Sequence, residues 1–236
     1  EKLGFGSSAV AALLFSRALN RSDDNSDIMN TAVLAHRKWQ QGYSSGYDIF
    51  TSANGGAGCF TGGLSPSWGK LNWPNLKYWL LRGPVSVSSA RALRRYKAWK
   101  EKPGKHWLDI PLLAGYYACL LETINLLASK AGITDAGMFL EKLHELAKFS
   151  SKLGNVINQE STPLMPAGFS KSKKPWNRLG IAVAKSLGAG NEIVLLAGLE
   201  DGFTRSEQLI LKELCRTNRA FPLLIETRRL SKELPE

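Results

Sequence analysis

The segment that most limits what this chain can become is Gly4-Phe5-Gly6-Ser7-Ser8-Ala9, which runs without a break into the apolar stretch ending at Phe15. Glycines free the backbone for positive φ and for close approach to another group, and the alanines and leucines that follow favour a helix. The pattern predicts a helix over Ser7–Leu19 with Ser7 or Ser8 as its N-cap. A helix N-terminus behind a glycine turn presents unpaired N–H groups and a positive dipole end, which suit a phosphate. Lys2 brings a charge to the same mouth, and the two serine hydroxyls can reach phosphate oxygens or Mg²⁺. No Gly-Lys-Ser/Thr follows at the spacing of a Walker A loop. A glycine turn with a serine cap and no ligand fits the same residues.

Two later segments have a similar character. Gln40-Gln41-Gly42-Tyr43-Ser44-Ser45-Gly46-Tyr47-Asp48 is a Gly/Ser turn that delivers an acid. Beside phosphates that carboxylate could orient a nucleophile, take a proton or pair with a lysine; the plainer reading has Asp48 capping the next helix. Lys185-Ser186-Leu187-Gly188-Ala189-Gly190 precedes the apolar run Ile193–Ala197. Its Gly-x-Gly turn permits close backbone approach to a ligand or to another loop, and a tight turn alone also explains it.

Helical periodicity predicts further helices over Asp27–Gln41, Ser88–Lys100, Ile110–Ala131, Asp135–Leu153 and Glu207–Arg216. Leu76–Leu81, Ile181–Lys185, Glu192–Ala197 and Phe221–Ile225 read as strands, with short strands and turns across Gly55–Gly63. Long helices with short, dispersed strands make an α+β chain, and a composition shift near Trp68–Pro74 marks a domain boundary. With 44% apolar and 22% charged residues the chain can bury a core, which excludes disordered and collagen-like classes. There is no uninterrupted apolar run of the ~20 residues that a membrane span needs, so the chain reads as soluble. No secretory signal opens it, and with three scattered cysteines and three scattered histidines it shows neither a disulfide set nor zinc spacing. Reduced thiols in the cytosol are the expectation. The chain opens with Glu1, and its first residues read as the middle of a longer protein.

A net charge of +11 suggests an anionic partner. The excess is concentrated in Arg91–Lys105, with seven basic residues against one Glu, and in Lys171–Lys185, with five and no acid. Tyr96, Trp99 and Trp107 interleave the first patch, but no nucleic-acid-binding signature accompanies it. A solvated helix face is the favoured reading for Arg94, Arg95 and Lys97; a cleft for a phosphorylated small molecule would look similar.

In order and spacing, the three glycine-bearing segments resemble the GHMP kinase superfamily over nearly the whole chain. Gly4–Ala9 is similar to its Gly-Leu-Gly-Ser-Ser-Ala phosphate-binding motif, Ser45–Asp48 to the segment carrying its active-site aspartate, and Lys185–Gly190 to its glycine-rich third motif. Within the superfamily the phosphomevalonate kinases are most alike. Lys2 precedes the first motif as a lysine does there, and Ala35, His36, Gln40, Ser45, Gly46, Tyr47 and Asp48 match an Ala-His…Gln…Ser-Gly-Phe-Asp pattern. Gly83–Ser89, followed by Tyr96-Lys97-Ala98-Trp99, is similar to their serine-rich turn and Lys-Trp helix. Mevalonate kinases tend to carry a magnesium-binding Glu where this sequence has His36 and Arg37. Asn191-Glu192 departs from the glycines that usually continue the third motif, and the family's N-terminal strands, with a catalytic lysine in many members, would lie ahead of Lys2.

The resemblance implies a two-domain fold: a truncated ribosomal protein S5 domain 2-like ATP-binding domain over 1–72 and a ferredoxin-like GHMP C-terminal domain over 73–236. It implies cytoplasmic phosphoryl transfer, dependent on ATP and Mg²⁺, to 5-phosphomevalonate in isoprenoid biosynthesis. The alternatives are another acceptor (mevalonate, a heptose phosphate or homoserine) or a catalytically degenerate binding module. By family likeness Asp48 and Lys2 are catalytic, while Gly4, Phe5, Gly6, Ser7, Ser8 and Ala9 hold the ATP phosphates and Ser8 places Mg²⁺. Ser45, Gly46, Ser86, Ser88, Ser89, Lys185, Gly188, Ala189 and Gly190 line the acceptor site or form the third motif. A phosphomonoester, with a second pKa near ~6, is already largely deprotonated, so Asp48 is expected to orient groups or hold a lysine. His36 is read as packing on its helix in preference to facing the substrate. The expected partner is a small anionic substrate, with neither nucleic acid nor membrane; assembly as a homodimer is left open. Turnover is expected to need the family's N-terminal part.

Overall fold

The computed structural model describes residues 6–20, 24–42, 44–63, 66–83, 89–102, 109–128, 136–159, 161–162, 183–187, 192–199 and 203–223. Lys2, Gly4, Phe5, Ser86, Ser88, Gly188, Ala189 and Gly190 lie outside the described residues, as do Trp107, Asn191 and the side chain of Ser89.

Helices α1 (Ser7–Leu19), α2 (Asn25–Trp39) and α3 (Tyr47–Asn54) pack on one another. Ala9 and Ala12 of α1 and Ala32 of α2 let the backbones approach, while Val33, Ile49 and Phe50 fill the space that remains. α1 starts from Gly6 at φ 73° and α3 from Gly46 at φ 93°, both left-handed, and neither helix has a side-chain cap. The expected serine cap is therefore corrected: a left-handed glycine turns the chain into α1, and Ser7 and Ser8 already lie in its first turn. Only glycine takes that conformation without a Cβ penalty. α2, by contrast, is capped by Asp24, whose carboxylate accepts from the Ser26 N–H at 2.8 Å.

Strands β1 (Gly58–Thr61) and β2 (Ser67–Lys70) form an antiparallel pair with Phe60 opposite Trp68. Successive side chains of a strand point to opposite faces. Phe60 and Trp68 thus pack on the three-helix core, and Cys59 packs on the core beyond. The Trp68 ring crosses over Gly58 and leaves no room there for a Cβ. This small hairpin joins the two halves of the molecule.

That second core is built on an antiparallel sheet in the order β4-β5-β3-β6, from β3 (Lys77–Arg82), β4 (Val183–Leu187), β5 (Ile193–Gly198) and β6 (Ala220–Leu223). Leu195 and Ala197 of β5 face α5 (Ile110–Ala128) and α6 (Ala136–Val156), meeting Leu127, Phe139, Leu140 and Leu143. Val194 and Leu196 face α7 (Arg205–Arg216) and its Leu211. Burial on both faces is why β5 reads in sequence as an unbroken apolar run. Thr204 and Glu207 close the start of α7 as a reciprocal capping box. The strand order interleaves β3 and β5 between β4 and β6, and the helices cover both faces of the sheet.

Helix α4 (Ser89–Lys100) leaves Arg94 and Lys97 exposed, whereas Arg95 donates to the Asn158 carbonyl and, at 3.1 Å, to Gln159 Oε1 beyond the end of α6. The solvated face expected for these residues is therefore corrected at Arg95, which ties two helices. α5 has a mean hydropathy of 1.4 over its best window and, by length and composition alone, is apolar enough to cross a membrane. The absence of an uninterrupted apolar run of that length holds here, since Glu122, Thr123 and Asn125 interrupt it; it is the mean over the helix that reaches the membrane range. α5 packs along α6 and buries Cys119, Thr123 and Leu127, while 17% of its apolar window as a whole is buried.

The two left-handed glycines give a paired test. Among the described residues a Cβ at Gly6 meets nothing within 4 Å, whereas one at Gly46 stands 3.1 and 3.2 Å from the Val33 methyls. Gly6→Ala is expected to lower stability by about 1 kcal/mol and Gly46→Ala by about 2 to 3 kcal/mol. Urea unfolding of both variants measures this, and equal losses would contradict the packing described at Gly46.

Candidate functional site

The first turns of α1 and α3 meet across one side chain of α2. His36 is 1% exposed, and its ring is surrounded by polar groups from three segments. Nε2 lies 3.1 Å from Ser8 Oγ and 2.9 Å from the side-chain nitrogen of Gln40. Nδ1 lies 2.9 Å from Ser44 Oγ and 3.9 Å from Asp48 Oδ2. Gln40 reaches the ring because residues four apart share a helical face. Ser8 and Asp48, from two glycine-bearing segments 40 residues apart in sequence, stand on opposite edges of the same imidazole.

The turn between α2 and α3 is held by Arg37, whose Nε donates to the Ser44 carbonyl at 3.1 Å and whose Nη2 donates to the Ser45 carbonyl at 3.4 Å. Gln41 at φ 55° and Gly42 at φ 86° reverse the chain there. Gly46 then starts α3, so Asp48 lies within the first turn and is not its cap, which corrects the plainer reading of that residue. Asp48 Oδ1 accepts from the Ile49 N–H at 3.1 Å, and the side chain is 24% exposed. A carboxylate in the first turn is stabilised by the positive end of the helix.

At the mouth of α1 the N–H of Ala9 bonds the Gly6 carbonyl at 2.9 Å and its methyl is fully buried. Helix geometry leaves the N–H groups of Ser7 and Ser8 without partners inside α1. Two helix N-termini, a hydroxyl and a part-exposed carboxylate therefore converge. Such a set suits an anion bridged by Mg²⁺, an ion usually held by one or two carboxylates together with substrate phosphates. Among the described residues no cluster of three His, Cys, Asp or Glu could hold a metal on protein ligands alone.

The remaining candidates lie elsewhere. Lys185 is on β4 opposite Leu195, donates to the Ser186 carbonyl at 3.0 Å, and is not among the groups around His36. Burial pulls its ammonium below the ordinary lysine range. Ser89 begins α4. A groove of about 400 Å³ runs between α5 and α6, lined by Cys119, Glu122, Glu145, Lys148 and Phe149. Burial, and after it the Glu145 charge, pushes the Cys119 thiol up, which makes it a poor nucleophile. Lys142 pairs with Glu122 at 2.6 Å and Glu145 at 3.1 Å beside that groove. The sequence reading missed Ser44 and the bridging place of His36. The signal available for it was a histidine and a glutamine one helical turn apart ahead of a Ser-rich turn.

No protein-family model matches the chain, and no curated protein matches it. Among solved structures it is similar to an L. major mevalonate kinase in complex with R-mevalonate, with a TM-score of 0.58 and 14% identity over 92% of this chain and 64% of that one. It is also similar to the Lin0012 protein from Listeria innocua, with a TM-score of 0.65 and 16% identity over 94% of this chain and 66% of the other. The chain spans a little under two thirds of the length of both. At these identities the fold is what is shared: over most of its length this α+β chain resembles part of the mevalonate kinase fold.

Proposed function

We propose that this chain belongs to a GHMP-type small-molecule kinase that transfers a phosphoryl group from ATP, with 5-phosphomevalonate as the acceptor. The observation that carries the reading is the junction at His36, which brings the start of α1 and the Asp48 carboxylate to one point. The likeness to a mevalonate kinase in fold supports it.

Phosphoryl transfer asks little covalent work of a protein and depends on positioning and charge neutralisation. In this reading Gly4, Phe5, Gly6 and the Ser7 and Ser8 N–H groups would hold the ATP phosphates, and Ser8 Oγ would hold Mg²⁺ beside them. Bound ATP with Mg²⁺ supplies the transferable group and the cation that screens its charge. Lys2 neutralises charge developing on that group. Asp48 orients the acceptor; a phosphate acceptor arrives with its oxygen already deprotonated and needs no strong base. Lys185 offers a cation whose charge an anionic acceptor would stabilise; Ser45, Gly46, Ser86, Ser88, Ser89, Gly188, Ala189 and Gly190 are assigned to the acceptor site or the third motif by family likeness alone. In this reading residues 1–72 form the ATP-binding domain and 73–236 the C-terminal domain.

Phosphomevalonate is preferred to mevalonate because α2 carries His36 and Arg37 near the site and no acid there. Arg37 is engaged with the Ser44 and Ser45 carbonyls and His36 with the hydroxyls, so neither is a magnesium ligand.

ADP release by the protein from its complete reading frame, with ATP, Mg²⁺ and one acceptor at a time, tests this. Turnover on 5-phosphomevalonate is expected, and Asp48→Asn is expected to lower kcat about a hundredfold or more with ATP affinity kept. Turnover on mevalonate or a sugar alone would overturn the acceptor, and absence of ATP binding would overturn the kinase reading. Lys185→Met gives a second test with effects of opposite sign. Protonated Lys185 is less favourable folded than unfolded, so its removal is expected to stabilise the protein. The gain should be fullest below the lowered folded-state value and vanish as pH approaches the ordinary lysine value of 10.5. The same variant is expected to raise KM for a phosphorylated acceptor about tenfold or more; unchanged KM would remove Lys185 from the site.

A further inference from the structure

Resting on that reading, we propose that His36 is a positioning residue: its neutral tautomer, with the proton on Nδ1, sets the Ser8 hydroxyl and the Asp48 carboxylate for phosphoryl transfer. At 1% exposure the ring touches neither solvent nor substrate, so it acts only through its neighbours. The side-chain nitrogen of Gln40 can only donate, and it lies 2.9 Å from Nε2. Nε2 is therefore the acceptor, and the ring carries its proton on Nδ1.

Each edge then has one consequence. At Nε2 the Ser8 hydroxyl, 3.1 Å away, must donate, sharing the nitrogen lone pair with Gln40. Its hydrogen turns inward, and the lone pairs of Oγ are left for a cation at the mouth of α1. The opposite tautomer would place an N–H against Oγ, occupy one of those lone pairs and turn the hydroxyl hydrogen outward toward the cation. At Nδ1 the N–H donates to Ser44 Oγ at 2.9 Å and directs its positive end toward Asp48 Oδ2 at 3.9 Å. That field steadies the carboxylate whose other oxygen is tied to the Ile49 N–H. Arg37 holds the backbone of the same turn through the Ser44 and Ser45 carbonyls and leaves the ring to act on the side chains. One imidazole thus orients a metal-facing hydroxyl on one helix and an acceptor-facing carboxylate on another.

Two conservative variants separate the edges, because the amide of asparagine overlays Nδ1 and that of glutamine overlays Nε2. His36→Asn loses the partner of Ser8 and is expected to raise KM for MgATP about tenfold with kcat nearly kept. His36→Gln loses the donor to Ser44 and Asp48 and is expected to lower kcat about tenfold with KM for MgATP nearly kept. In a Ser8→Ala background His36→Asn should have no further effect on KM. A histidine that only fills space would move kcat and KM alike in both variants, which would overturn the proposal. Long-range ¹⁵N–¹H spectra of the imidazoles in the complete protein read the tautomer without turnover. A proton on Nδ1 is expected. A ring protonated on Nε2 in a protein that binds MgATP overturns the role of His36 alone, whereas a protein that binds no MgATP overturns the kinase reading and that role with it.

Discussion

A buried imidazole must have both nitrogens partnered, since each buried polar group left unpaired costs about 1 to 3 kcal/mol. At His36 that requirement shapes the first third of the chain. One nitrogen takes Ser8 from α1 and Gln40 from α2, and the other takes Ser44 from the turn ahead of α3, with Asp48 beyond it. The alanine contacts among the three helices bring the backbones close enough for these bonds to form. Left-handed glycines at Gly6 and Gly46 start two of the helices at the angles that make them converge. Packing and polar satisfaction therefore specify the same arrangement, and the chemistry proposed for the site uses the two helix ends that this arrangement brings together.

The rest of the molecule is a separate core connected to the first by a short hairpin. Cys59 belongs to one core and its neighbour Phe60 to the other, so the pleat of one strand joins them. The sheet behind it is buried on both faces, with Leu195 and Ala197 on one side and Val194 and Leu196 on the other. Such a sheet makes a firm platform for loops at its ends. Lys185 sits on its β4 strand with its ammonium bonded to a main-chain carbonyl and its charge disfavoured by burial.

Much of this was legible in the residues. The run behind Gly6 marked α1 over Ser7–Leu19, and the apolar stretch from Ile193 marked a strand because both of its faces are buried. Patterns of that kind carry their own period, and burial is what imposes the period. Less legible were features that depend on what lies across the fold. Serines at a helix start suggest a cap by local rules, yet Ser8 turns to a ring 28 residues away and leaves the capping position to Gly6. Arg95 looked like part of a solvated basic face until the loop after α6 arrived beside it. His36 was expected to pack, and it does, but its bonding partners come from other segments and no local pattern names them.

The central claim is that the junction at His36 is where a nucleotide binds. Amide hydrogen exchange of the complete protein, with and without MgATP, addresses it directly. Slowed exchange confined to the first turns of α1 and α3 and the turn through Ser44 is the expected result. Protection of the α5–α6 groove instead, or none at the starts of α1 and α3 in a protein that binds MgATP, would contradict the account.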